Sequence, residues 1–459
     1  MCGIFAIYDQ ENNKNVAKLT YFALYSLQHR GQESAGITVS NGKEMKTHKN
    51  MGLVSQIFDE KKLSKLTGNL ALGHVRYSTT GSSNIENAQP FETIWNDKEK
   101  IQIAHNGNLV NFDRICSHLG ITIPTNNSDT ELIALLLKKL KDPSLETTIQ
   151  KIIQKITGAY SIVIMSKEKI IAFRDPYGIR PLCLGRLGSS YVLASESCAF
   201  DIIGAQYIRE VEPGEIITIS KTGLSSTMLP STTNRAMCVF EYIYFARPDS
   251  NIYGKNLYCT RVNMGRNLAR EQPVKADMVI SVPDSGTPAA IGYSKESGIP
   301  LDEGLIKNRY VGRTFISPTQ EMRELGVRIK LNPISKIFEG KRIVIVDDSI
   351  VRGTTSRKIV NLVRKAGARE VHVRVSSPPI LFPCFYGIDT ATKSELIAAN
   401  MSLEKIRQHL NADSLGYLSI RGLTQAINLP SKDLDLACLN GEYPIKIPEE
   451  IQKLKLIFK

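Results

Sequence analysis

Cys2 stands directly behind Met1 in MCGIFAIYDQ. Once Met1 is removed, one residue carries both a thiol and a free α-amine, a nucleophile with its own base. An α-amine ordinarily titrates near pH ~8, so it can relay a proton at neutral pH. A cysteine in an apolar stretch is otherwise a small buried hydrophobe, and its partners must decide. Three further segments supply them. Arg76, in GHVRYSTTG (73–81), falls at the end of an expected strand, where a guanidinium can hold a carboxylate in a bidentate fork. Asn106 and Gly107, in AHNGNL, offer a side-chain amide and a backbone N–H that can form an oxyanion hole. Alone, Asn-Gly is equally a hairpin-turn signal. Asp129, in NSDTE, falls at a helix start and can receive an ammonium group, although Ser128 or Asp129 can also be a simple N-cap. Taken as a set, these groups match the amide, α-carboxylate and α-amine of glutamine.

The second half carries a different chemistry. In RIVIVDDSIVRGTTS (342–356) an apolar strand delivers Asp347 and Asp348 at its C-terminal end, the edge at which open α/β sheets bind ligands. Arg352, Gly353, Thr354, Thr355 and Ser356 then open a helix. Gly353 permits close backbone approach, and the hydroxyls and free amides suit a phosphate monoester. The paired acids suit ribose hydroxyls or a hydrated Mg²⁺. A second strand runs into VPDSG (282–286), where Ser285 can complete a pyrophosphate and metal site. Residues 304–333 bring Lys307, Arg309, Arg313, Arg328 and Lys330 among glycines, which fits a lid closing over pyrophosphate.

These residues need two kinds of frame. In the first half GIFAIY, LALGHVRYS, IQIAHNG, YSIVIMS, KIIAFRD and YVLASE read as short strands of antiparallel sheets. VAKLTYFALYSLQHRG and DTELIALLLKKL read as helices, so two sheets with helices on both outer faces are expected. Residues 220–236, SKTGLSSTMLPSTTNRA, read as a linker. Beyond it, continuous apolar strands alternate with helical segments such as SRKIVNLVRKAGA, a βαβ rhythm with a parallel sheet.

The chain has 459 residues, 42% of them hydrophobic and 22% charged, enough for two domains with large cores. Its formal charge of +13 fits a handler of phosphorylated small molecules as well as nucleic acid. No long run of lysines and arginines and no zinc-finger spacing favours nucleic acid. No apolar run approaches the roughly 18 residues of a membrane span, and GIFAIY is too short for a signal-peptide core. A cytoplasmic protein is expected. Its eight scattered cysteines do not read as a disulfide framework.

Cys2 with GIFAI, QHRGQESAGI, GHVRYSTTG, HNGNL and SDTE resembles an N-terminal-nucleophile glutamine amidotransferase domain. VDDSIVRGTTS resembles the phosphoribosyltransferase signature that binds 5-phosphoribosyl-1-pyrophosphate (PRPP). With KNRYVGRTFI and FEYIYFARPDS added, nearly the whole chain is similar to the amidophosphoribosyltransferases, which begin purine synthesis. The resemblance implies an αββα N-terminal-nucleophile sandwich at 2–229, followed by an α/β phosphoribosyltransferase domain at 237–459 with a mainly parallel sheet. It implies Cys2 as nucleophile, Asn106 and Gly107 as oxyanion donors, and Arg76 and Asp129 as glutamine holders. It places PRPP on Asp347, Asp348, Arg352, Gly353, Thr354, Thr355, Ser356, Lys307, Arg309 and Lys330, and Mg²⁺ on Ser285, Asp347 and Asp348. It further implies a sheltered passage for ammonia, a homotetramer, and feedback by AMP and GMP. The other reading of the residues is a PRPP-binding regulator without coupled transfer.

Some members of this family hold a [4Fe–4S] cluster on four cysteines. Cys238, Cys384 and Cys438 match that pattern, while Asp435 stands at the remaining position. A cluster with one carboxylate ligand is the expectation; a three-iron cluster, or three buried cysteines with no cluster, are the alternatives.

Overall fold

The computed structural model describes residues 1–77, 83–96, 99–122, 128–229, 235–308, 331–388, 392–449 and 451. Arg309, Arg313, Arg328 and Lys330 lie outside them, as do residues 78–81 of GHVRYSTTG and 230–234 of the expected linker.

The first half holds two antiparallel sheets. One has seven strands, with Gly3–Tyr8 and Leu70–Arg76 paired near its centre; the other has six, with Glu99–Leu109 and Gly158–Met165 paired inside it. Strand alternation sorts their side chains. Ile4, Ala6, Leu70 and Leu72 of one sheet meet Ala104, Val163, Met165 and Ala172 of the other in a shared inner core. Phe5, Ile7, Ala71 and Val75 face outward, packed with residues of the helices Val16–Ser26 and Cys198–Ile203. Ile101, Ile103, Tyr160 and Ile162 pack with the helices Phe112–Leu119, Asp129–Lys139 and Leu145–Ile153. The order is helix, sheet, sheet, helix. Cys2 continues the inward phase of Ile4 and Ala6, and Asn106 continues that of Ala104. The pattern that builds the core thus aims both residues into the space between the sheets.

One reading of the sequence holds here and one changes. IQIAHNG is a strand as expected, so Asn106 and Gly107 lie inside Glu99–Leu109, paired with Ser161 and Tyr160, and the hairpin-turn alternative for Asn-Gly falls away. Part of the expected linker is also a strand: Gly223–Met228 pairs with Glu215–Ser220 at the edge of the six-stranded sheet. Its Ser- and Thr-rich, mostly exposed side chains hide it from a reading based on hydrophobic alternation.

The second half contains a four-stranded parallel sheet in the order Met278–Ser281, Arg342–Asp347, Glu370–Val375, Ser414–Tyr417. Alternation again divides its faces. Val279, Val344 and Val346 share a core with the helices Leu257–Glu271 and Thr287–Ser297; Ile280, Ile343 and Ile345 share one with Thr354–Lys365. Val110, Ala159 and Ile179 of the first half join the former core, so one apolar cluster spans both halves. Among the described residues no helix is long and apolar enough to cross a membrane, and all eight cysteines are free thiols.

Candidate active sites

The first site forms where the two inner faces end. The Cys2 backbone N–H donates to Asn106 Oδ1 at 3.0 Å, and Cys2 Sγ lies 3.7 Å from the Tyr77 carbonyl. Asn106 is fully buried, and among the described residues its Nδ2 has no hydrogen-bond partner. A buried amide N–H without an acceptor is costly, so a donor is held ready on the residue that bonds the Cys2 backbone. Arg76, the last residue of its strand, is 4% exposed and forms an ion pair with Glu33. The Asp129 carboxylate accepts the Leu109 N–H at 3.0 Å, two residues beyond Gly107. Burial raises its pKa to about 7 against the opposing effect of that N–H. Ser128 caps the helix by accepting from the Glu131 N–H, which leaves Asp129 for the site. His74 and His105 are buried and pushed down to about 3, chiefly by desolvation. His74 Nε2 bonds to the His105 carbonyl and the His105 N–H donates to Gln89 Oε1.

A buried charge cluster that sequence reading missed supports this site. Arg30 Nε donates to the Cys2 carbonyl at 2.9 Å, while its guanidinium pairs with Glu196 and with Glu241 of the second half. Arg30 is fully buried, with Phe245 stacked 4.7 Å away. Burial alone would raise the Glu196 carboxyl; His29 and Arg30 hold it well below the usual range. The available signal was the acid of FEYIYF, a charge in an apolar run that demands a buried partner.

The second site lies at the C-terminal edge of the parallel sheet. Asp347 Oδ1 accepts the Asp348 N–H at 2.9 Å, and Ser349 Oγ donates to Asp348 Oδ1 at 2.5 Å. The hydroxyls of Ser356 and Ser285 act on Asp347 and Asp348 respectively, each lowering its carboxyl against the effect of burial. Burial raises both carboxyls, and for Asp347 the neighbouring Asp348 adds to it. Gly353 has a φ of 75°, and a Cβ there would lie 2.6 Å from Ile397 Cδ1, so the turn requires glycine. The helix Thr354–Lys365 has no side-chain cap, leaving its first N–H groups for a ligand, with Thr354 and Thr355 exposed beside them. Arg352 pairs with Glu395 at 3.4 Å, and Lys307 with Asp284.

Cys238, Cys384, Asp435 and Cys438 line a single pocket with Phe240, Tyr386 and Tyr443. Cys238 and Asp435 face each other in a two-residue parallel pairing. Burial raises the Cys238 and Cys438 thiols, and raises Asp435 to about 6. Among the described residues, no three His, Cys, Asp or Glu side chains converge on one ion. A cluster does not need that convergence, since each ligand binds its own iron. The donor set therefore fits a cluster in kind. The space enclosed is about 10 Å³, that of one water, so the aromatic walls must move outward to admit one.

Comparison with known proteins agrees with this division. The family described as "Glutamine amidotransferase domain" matches residues 74–201, and "Phosphoribosyl transferase domain" matches residues 266–377. An amidophosphoribosyltransferase of Methanothermobacter thermautotrophicus is 50% identical, over 98% of this chain and 96% of its own length. This chain belongs to the amidophosphoribosyltransferase family. A Synechocystis member is 52% identical over 100% of this chain and 94% of its own. Among solved structures, the glutamine PRPP amidotransferase of Bacillus subtilis, complexed with ADP and GMP, is 48% identical with a TM-score of 0.92, covering 98% of each chain. A structure described as the allosteric regulatory enzyme of purine biosynthesis has a TM-score of 0.93 at 47% identity, covering 100% of this chain and 99% of its own. Members of the family are glutamine-dependent transferases, and a regulator without transfer finds no support among these relatives.

Proposed function

We propose that this chain divides the family's reaction between two sites. Cys2, freed of Met1, attacks the side-chain amide carbon of glutamine. A C–S bond forms, and the carbonyl π electrons move to oxygen, which Asn106 Nδ2–H and the Gly107 N–H receive. The Cys2 α-amine takes the thiol proton and passes it to the departing nitrogen, releasing ammonia. Water then cleaves the thioester to glutamate. Arg76 holds the substrate carboxylate and Asp129 its ammonium. The supporting observation is the split use of Asn106, with Oδ1 on the Cys2 nitrogen and Nδ2 unpartnered among the described residues.

Ammonia attacks C1 of PRPP; the new C–N bond replaces the C–O bond to pyrophosphate, giving 5-phosphoribosylamine. Residues 352–356 take the 5-phosphate, and Lys307, with Arg309 and Lys330, the pyrophosphate. Asp347, Asp348 and Ser285 would hold the ribose hydroxyls and a Mg²⁺ whose remaining ligands are water and substrate phosphate, an ion that neutralises the leaving pyrophosphate. Two adjacent buried acids that form no ion pair among the described residues fit that role. Cys238, Cys384 and Cys438 as thiolates, with Asp435 as an oxygen ligand, would hold an iron–sulfur cluster that ties distant segments together. Purine nucleotides, including AMP and GMP, are proposed inhibitors, on the strength of the ADP and GMP bound to the Bacillus subtilis relative. A cytoplasmic homotetramer completes the proposal.

The test of the nucleophile is covalent. A diazoketone analogue of glutamine should label the N-terminal peptide at Cys2 alone, with Met1 absent from that peptide. Labelling at any other cysteine contradicts the assignment.

A further inference from the structure

The strand that carries Asn106 and Gly107 is braced from the other half of the molecule. Asn108 Nδ2 donates to the Phe385 carbonyl at 3.0 Å, across 277 residues of sequence. Two residues further, Gly387 lies against Gly107. A Cβ on Gly387 would sit 3.2 Å from the Gly107 carbonyl carbon and 3.3 Å from its oxygen, and the φ of Gly387, +99°, is one that L residues rarely adopt. On its other flank Gly107 is equally confined: a Cβ there would fall 2.0 Å from the Ala159 carbonyl oxygen. The Cα and carbonyl of Gly107 are thus confined between a strand of its own sheet and main chain of the transferase half, and through that Cα the adjoining 106–107 peptide, which carries the Gly107 N–H, is held as well. That main chain leaves directly from Cys384, whose Sγ accepts the Tyr386 N–H at 3.3 Å in the thiol-lined pocket.

We propose that Asn108 and Gly387 are positioning residues of the glutaminase reaction, through which segment 385–387 of the transferase half fixes the orientation of the Gly107 N–H in the oxyanion hole. This rests on the oxyanion roles given above to Asn106 and Gly107. Neither positioning residue touches substrate. Their effect falls on the tetrahedral state and not on the bound amide, because an oxyanion hole acts where charge develops.

The experiment uses the full chain with Asn108→Ala, Asn108→Asp and Gly387→Ala. Asn108→Asp keeps volume and lacks the donor, so it covers a loss of folding in the others. The expected result is a roughly tenfold fall in kcat for glutamine hydrolysis with KM for glutamine unchanged. Inhibition by the γ-aldehyde of glutamate should weaken by the same factor, because its hemithioacetal oxygen occupies the hole, while affinity for glutamate itself stays constant. Ammonia-dependent pyrophosphate release, which does not use the hole, should be retained. Unchanged kcat, or parallel losses in hydrolysis, glutamate binding and ammonia-dependent transfer, would overturn the proposal. Asn106→Ala separates the two levels. If it hydrolyses glutamine normally, the oxyanion reading itself fails; if it is impaired while the Asn108 and Gly387 variants are silent, only the bracing role fails.

Discussion

Arg30 and Glu241 stand 211 residues apart in sequence and meet through hydrogen bonds of 2.8 and 3.1 Å in the core between the two halves. The same guanidinium holds the Cys2 carbonyl. Replacing Arg30 by Met leaves Glu196 and Glu241 buried without their main cation, a loss of about 3–5 kcal/mol for a broken buried pair. The expected outcome is a marked fall in Tm together with weaker glutaminase activity. Arg30→Lys should rescue little, since a single ammonium cannot reproduce the three-way fork. Calorimetry beside a glutamate-release assay checks it, and an unchanged Tm for Arg30→Met contradicts it.

Asp129 gives the glutaminase site a pH dependence. Burial raises its carboxyl to about 7 in the free protein, so below that pH the neutral form dominates and cannot hold the substrate ammonium. The kcat/KM for glutamine should therefore rise through pH values near 7. Bound substrate supplies a cation that pulls the pKa down, so kcat should be flatter there. Asp129→Asn should have a low kcat/KM without that rising limb. A wild-type limb that persists in Asp129→Asn assigns it to another group.

The paired acids at the sheet edge trade stability for binding. Both carboxyls are raised by burial above their unfolded range of about 3.9. A raised carboxyl pKa favours folding below the unfolded value and loses that advantage as pH rises through the folded value. Asp347→Asn should therefore raise the Tm of the ligand-free protein at pH 7, with the gain shrinking near pH 4. The same variant should lose the stabilisation that PRPP with Mg²⁺ confers on the wild type. Thermal scans at the two pH values, with and without PRPP and Mg²⁺, decide it; a variant less stable than wild type at pH 7 refutes the argument.

The thiol pocket predicts iron. Protein purified without oxygen should contain about four irons and four sulfides per chain if the cluster is complete. Asp435→Cys should slow the loss of visible absorbance in air, since thiolate binds iron more tightly than carboxylate. A colourless, iron-free and fully folded wild-type preparation contradicts the cluster.

Much of this was legible along the chain because each motif is local. Cys2 beside Met1, the two acids ending an apolar strand, and Gly353 at a helix start each declare themselves within a few residues. Less legible was whatever depends on packing. Gly223–Met228 lacks apolar alternation because it is an exposed edge. Arg30, Glu196 and Glu241 become one unit only after two halves fold together, and nothing near Gly387 in sequence indicates that it rests on Gly107. Such contacts depend on chain segments hundreds of residues apart.

The most direct test of the whole account follows glutamate and pyrophosphate together, with glutamine, PRPP and Mg²⁺ present. The two-site reaction predicts equal amounts of both products. It also predicts that Cys2→Ala abolishes both with glutamine yet still releases pyrophosphate when ammonia is supplied. Glutamate without pyrophosphate, or glutamine-driven pyrophosphate release surviving in Cys2→Ala, would contradict it.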